Sequence, residues 1–110
     1  MSSGTRVAAF SELVAGAAVK VEVDGFAVTL VRIGDGIYAL ADRCSHADAS
    51  LSEGDVYEDD MEIECPLHGS TFDLETGEPQ SLPATAPVAV YEAEVDADGA
   101  VWLTRREEPA

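Results

Sequence analysis

Cys44, His46, Cys65 and His68 are all the cysteine and all the histidine in this chain. They fall in two short boxes, Cys44-Ser45-His46 and Cys65-Pro66-Leu67-His68, with 18 residues between them. Each box offers one soft thiolate and one imidazole, in the order Cys, His, Cys, His. That order suits a site with two metal positions of different character. A 2Fe-2S cluster with both thiolates on one iron and both imidazoles on the other has this form. Other chemistries fit the spacing less well. A structural zinc site also uses two Cys and two His, but it usually groups the cysteines ahead of the histidines. A Cys–His nucleophilic dyad needs one of each and leaves the second pair unexplained. A Cys44–Cys65 disulfide calls for an oxidising compartment, which nothing in the sequence signals.

These boxes must be held by a scaffold, and its pattern is that of β-strands. The chain has 110 residues, the size of one domain. Val is the main core former, which favours strands, and turn signals recur every eight to twelve residues. Arg6 to Phe10 reads as a first strand, followed by a helical turn that Ser11 can cap. Val19 to Val23 alternates apolar and polar residues, the period of a half-buried strand. Asp24-Gly25 then turns it into Phe26 to Ile33, and Gly34-Asp35-Gly36 leads to Ile37 to Leu40.

Beyond Asp42 the strands shorten and loops dominate. Val56-Tyr57 and Met61 to Glu64 form a small hairpin around Glu58-Asp59-Asp60, and Thr71 to Asp73 adds a third short strand. Pro79, Pro83 and Pro87 keep the following segment extended and out of a sheet interior. Regular pattern returns at Val88 to Val95 and, after Asp98-Gly99, at Ala100 to Thr104. Arg105 to Ala110 reads as a frayed polar tail. The expectation is one all-β domain over 1–110. Its scaffold runs over about 6–41 and 87–104, with a loop-rich insert bearing the boxes at about 42–86.

Together the two boxes resemble those of the Rieske ferredoxins, in order and in approximate spacing. Ser50-Leu51-Ser52-Glu53-Gly54 after the first box and Thr71-Phe72-Asp73 after the second extend the resemblance, as does the loop Ser81-Leu82-Pro83-Ala84. It covers roughly Val7 to Leu103. It implies an antiparallel β-sandwich or barrel with a small cluster-binding subdomain. It also implies one 2Fe-2S cluster held by Cys44, His46, Cys65 and His68. Gly69, Ser70, Phe72 and Pro83 would surround the cluster: Gly69 permits a tight ligand loop, Ser70 donates a hydrogen bond, and Pro83 acts as an apolar lid.

Charge counting separates this ligand set from a four-cysteine one. Two ferric ions, two sulfides and two thiolates sum to zero with neutral imidazoles, whereas four thiolates give −2. The neutral cluster takes an electron more readily, at about −150 to +300 mV against about −400 mV for plant-type ferredoxins. Rieske proteins of cytochrome complexes carry an extra cysteine in each box, where this chain has Ala49 and Leu67. They also carry a Tyr hydroxyl near the cluster, where it has Phe72. With that donor missing and many acids nearby, a potential low in the window is expected.

The net charge of −16, from 22 acids against six bases, argues against nucleic acid or an anionic membrane surface as partner. Between Cys44 and Thr104 there are 15 acids and no Lys or Arg. No run is apolar enough for a membrane span, and the first ten residues lack the apolar core of a secretory signal. The compartment is therefore expected to be the cytoplasm and the protein a monomer. There is no glycine-rich dinucleotide fingerprint and no spare histidine for a second metal site. The expectation is an electron carrier and not an enzyme. The resemblance implies a flavin-dependent ferredoxin reductase as donor and a terminal, aromatic-ring oxygenase as acceptor. A small subunit of a larger reductase such as nitrite reductase, or a redox protein of iron–sulfur cluster assembly, would use the same boxes.

Overall fold

A computed structural model describes residues 4–23, 25–43, 49–67, 69–80 and 86–107. Nine strands form among the described residues: β1 Thr5–Ala9, β2 Ala18–Val23, β3 Phe26–Ile33, β4 Gly36–Ala41, β5 Val56–Tyr57, β6 Glu62–Glu64, β7 Thr71–Asp73, β8 Val90–Val95 and β9 Ala100–Glu107. Six of them make one antiparallel sheet in the order β1-β9-β8-β4-β3-β2, and three make a second in the order β5-β6-β7. The first sheet is nearly closed on itself. Two 3₁₀ turns, Phe10–Glu12 and Leu51–Glu53, are the only helical elements among the described residues, and none there is long and apolar enough to cross a membrane.

The all-β expectation holds, and the hairpins form where the turn residues placed them. Gly25, Gly34 and Gly99 sit at tips with positive φ and open space around them. Asp24 lies outside the described residues. Four local expectations change. The first strand starts at Thr5 and stops at Ala9, because Phe10 already belongs to the 3₁₀ turn. Ser11 does not cap that turn; the Glu12 carboxylate does, accepting the Ala9 N–H at 2.9 Å. Strand β8 starts at Val90, since Val88 bonds back to Gly77 and the Ala89 carbonyl accepts from Ala41 instead of continuing a ladder. The polar tail is not frayed as far as Glu107. Arg105, Arg106 and Glu107 pair in register with Glu92, Tyr91 and Val90, because β8 offers a full-length partner.

Strand β3 shows how the sheets share one interior. Val28, Thr29, Leu30 and Val31 are all buried, where a half-buried strand would alternate. Val28 and Leu30 pack with Val23, Ala39 and Leu103 inside the curved six-stranded sheet. Val31 faces the other way and packs with Leu40, Leu51, Ile63, Cys65, Phe72, Leu74 and Val88. The small sheet therefore covers one face of the large one, and its own apolar residues supply that second core. Arg32, at the end of β3, ties down the N-terminal segment. Its guanidinium lies 4.2 Å from the centre of the Phe10 ring and donates to the Leu13 carbonyl at 2.8 Å.

Candidate metal centre

Among the candidate ligands, Cys65 lies within the described residues. Cys44, His46 and His68 lie outside them, as does Pro83. Cys65 follows directly on β6, the middle strand of the small sheet, which is held on both sides by β5 and β7. Alternation along β6 turns Ile63 and Cys65 inward and leaves Glu62 and Glu64 half-buried. The Cys65 thiol is fully buried in the second core. The chain then leaves the sheet abruptly, and Pro66 and Leu67 are exposed.

Two hydrogen bonds close this loop on itself. The Gly69 N–H donates to the Cys65 carbonyl at 2.9 Å, and the Cys65 N–H donates to the Ser70 carbonyl at 2.7 Å. Gly69 takes φ +76°, a left-handed conformation costly to a side chain. A Cβ there would meet only the Glu64 carboxylate, at 3.7 Å, so the demand for glycine is conformational and not steric. Ser70 and Phe72 are fully buried, Phe72 directly opposite Ile63 across the β6–β7 ladder. Just outside the loop, the Tyr57 hydroxyl donates to the Glu64 carboxylate, and that bond lifts the phenol above its ordinary value of 10.

The first box hangs from a stem whose two sides are described. Arg43 and Ser50 pair as an antiparallel bridge, and the Leu51 N–H donates to the Asp42 carbonyl at 2.6 Å. Leu51 and Ala49 then pack into the core that holds Cys65. Below the stem, the Asp42 carboxylate accepts from the Thr29 hydroxyl at 2.8 Å and from the Ser52 N–H at 3.0 Å. Burial raises the Asp42 pKa. Hydrogen bonds from the Ser52, Ser50 and Thr29 side chains and the Ser52 backbone outweigh it and hold the carboxyl below its ordinary value.

A glycine brings the segment after the first box against the residue before the second. Gly54 lies so close to the Glu64 carbonyl that a Cβ would be 1.6 Å from its oxygen, and the Glu64 N–H donates to Asp55 at 2.8 Å. The turn after the first box thus touches the residue before Cys65. A buried thiol at the root of a surface loop, beside the stem of a second loop bearing Cys and His, fits a cluster with soft ligands on one side. Asp42, Thr29, Ser52, Gly54 and Glu64 are the positioning residues that motif reading passed over. Ser52 and Gly54, inside the segment that resembles the family, carried a visible signal. Tyr91 packs partly buried against the first core, while the Trp102 indole donates to Asp96 at 2.9 Å.

Comparison with known proteins finds similar chains. The model of the Rieske [2Fe-2S] domain matches residues 4–92. The chain is 48% identical over 69 residues to the 3-phenylpropionate/cinnamic acid dioxygenase ferredoxin subunit of Escherichia coli (strain K12), a match covering 63% of this chain and 64% of that relative. It is similar to the ferredoxin of carbazole 1,9a-dioxygenase from Nocardioides aromaticivorans IC177, with 41% identity and a TM-score of 0.90 over 94% of this chain and 98% of the other. It also resembles a chain in the complex of reduced oxygenase and oxidized ferredoxin in carbazole 1,9a-dioxygenase, with 38% identity, a TM-score of 0.87 and 97% of each chain covered.

Proposed function

Since the chain belongs to the Rieske [2Fe-2S] domain family, we propose that it is a single-electron carrier serving a ring-hydroxylating dioxygenase. It takes electrons from a flavin-dependent reductase and passes them to a terminal oxygenase. The observation that carries this reading is the contrast at one loop: the Cys65 thiol is fully buried while Pro66, Leu67 and Gly69 on the same loop are exposed. A carrier needs a redox centre shielded from water yet within reach of the surface. The relatives named as dioxygenase ferredoxins, and the one found with an oxygenase, support the choice of partners.

In this reading Cys44 and Cys65 ligate one iron, and His46 and His68 the other. When bound, the cluster supplies one reversible electron. The chain's own residues shape how that electron is held. The β6 strand and the two bonds closing the loop fix the Cys65 sulfur. Gly69 lets the loop turn back so that its own N–H bonds the Cys65 carbonyl, Ser70 places a hydroxyl beside the ligand loop, Phe72 offers an apolar wall without a donor, and Pro83 would act as an apolar lid. A monomer in the cytoplasm, meeting each partner in turn, is the working form.

Iron and acid-labile sulfide analysis, with electron paramagnetic resonance on dithionite-reduced protein, tests the site. Two irons and two sulfides per chain with a Rieske-type spectrum are expected, whereas zinc without sulfide overturns the reading. Reduction of the protein by a flavin-dependent reductase and its reoxidation by an oxygenase test the carrier role.

A further inference from the structure

Asp42 is a buried acid at the end of the strand that leads into the first box. It stands one residue beyond β4 and two before Cys44, and it is 2% exposed. Its three polar groups reach three elements. The N–H donates to Ala27 at 3.0 Å, anchoring Asp42 to β3. The main-chain carbonyl accepts from Leu51 at 2.6 Å, across the base of the loop 43–50. One carboxylate oxygen, Oδ1, accepts both the Thr29 hydroxyl, buried in β3, and the Ser52 N–H, in the 3₁₀ turn after the loop. Lys20 lies 3.8 Å from the other oxygen, on the strand paired with Thr29.

These contacts converge on one loop. The chain leaves the sheet at Asp42 and returns at Ser50 to Glu53. The carboxylate bonds the returning turn to the interior of the sheet. Fixing a loop's two ends relative to a rigid strand restricts the residues between them. Thr29 sits in β3, a strand buried on both faces, so the anchor point itself cannot shift without repacking both cores.

We propose that Asp42 is a positioning residue for the first ligand box, holding the 43–50 loop in the shape that retains the cluster by bonding Thr29 to Ser52. The proposal rests on the reading of Cys44 and His46 as cluster ligands. The role is that of a hydrogen-bond acceptor shared between two donors. Asparagine keeps one such oxygen and alanine keeps none, so the two substitutions separate acceptor from bulk.

The holoprotein tests it with four variants: Asp42→Ala, Asp42→Asn, Cys44→Ser, and Val101→Ala as a scaffold truncation that leaves Asp42 untouched. Iron release to a chelator, the reduced-state resonance spectrum and the amide exchange of Leu51 and Ser52 are followed in each. Asp42→Ala should release iron at least about tenfold faster than wild type, the scale of one lost charge-assisted hydrogen bond, with a broadened spectrum and faster exchange at Leu51 and Ser52. Asp42→Asn should restore most of each readout, and Val101→Ala should lower the unfolding midpoint without changing the spectrum. If Asp42→Ala does not fold, a normal spectrum and iron release in Asp42→Asn still support the acceptor role, and loss of both overturns it. Iron release and spectrum unchanged in Asp42→Ala overturn the positioning role. A cluster retained in Cys44→Ser overturns the ligand reading instead, so the two failures are distinct.

Discussion

Gly54 touches the carbonyl of Glu64 with no room for a side chain between them: a Cβ would stand 1.6 Å from the carbonyl oxygen and 3.3 Å from the Pro66 ring. This one contact sets the distance between the turn that follows the first ligand box and the strand that presents Cys65. Backbone faces backbone here, so no rotamer change can relieve the clash.

Gly54→Ala is therefore expected to separate the two boxes. Its cost should exceed the roughly 1–3 kcal/mol typical of overpacking a core, and iron content should fall with it. Gly99→Ala provides the comparison. Gly99 has φ +83° but nothing within 4 Å, so only about 1 kcal/mol of backbone strain is expected. Urea unfolding with iron analysis distinguishes them: iron loss in Gly54→Ala alone supports the contact's role.

Phe72→Tyr should raise the reduction potential. Phe72 is fully buried across from Ile63, two strand positions from Cys65. A hydroxyl there must find an acceptor or cost about 1–3 kcal/mol. With the proposed cluster bound, its sulfur would be the acceptor, and that bond would stabilise the reduced, more negative state. Protein-film voltammetry measures the shift, and a lowered or unchanged potential would count against the placement of Phe72 beside the cluster.

Trp102 should report an acid step below pH 3.8. Its indole N–H is the first cause holding Asp96 below the ordinary carboxyl value, with the Ala100 and Asp98 amides assisting against the opposing effect of desolvation. A depressed folded pKa contributes stability that is present above 3.8 and is lost as pH falls through the lower folded value. The indole N–H resonance of this single tryptophan should shift with a midpoint under 3.8, and Asp96→Asn should abolish the step. A midpoint at or above 3.8 in the wild type would contradict the geometry.

Electron transfer to and from partner proteins should slow as salt is added. Glu58, Asp59 and Asp60 form an exposed turn on the small sheet, in the half of the chain that has 15 acids and no base between Cys44 and Thr104. Such a field raises encounter rates with a basic face and is screened over about 10 Å at 0.1 M salt. Replacing all three acids by Lys should cut the low-salt rate constant by about tenfold and flatten its salt dependence. Stopped-flow reduction by the reductase checks this, and a wild-type rate indifferent to salt would reduce the acids to a solubility role.

The family was legible in the sequence because the two Cys–His boxes are local patterns. Two Cys and two His in alternating order point to a dinuclear site wherever the chain goes. The hairpins were legible for the same reason: Asp-Gly and Gly-Asp-Gly impose their turns on the residues beside them. Errors gathered where a distant partner decides. Arg105 to Glu107 look like a polar tail, and β8 makes them a strand. Ser11 looks like a cap, and Glu12 does the work because its longer side chain reaches the Ala9 amide.

The order of residues was enough for the family, the β character and the acidity of the half between Cys44 and Thr104. Packing in three dimensions was needed to see how the elements flanking the boxes meet. Asp42 reads as the polar end of a strand until Thr29 and Ser52 are seen to share its carboxylate, and they lie 13 residues before it and 10 after. Gly54 reads as a turn residue until Glu64 is found against it. Turn chemistry and ligand identity depend on neighbours along the chain, whereas a clamp and a close approach depend on packing between strands far apart in sequence.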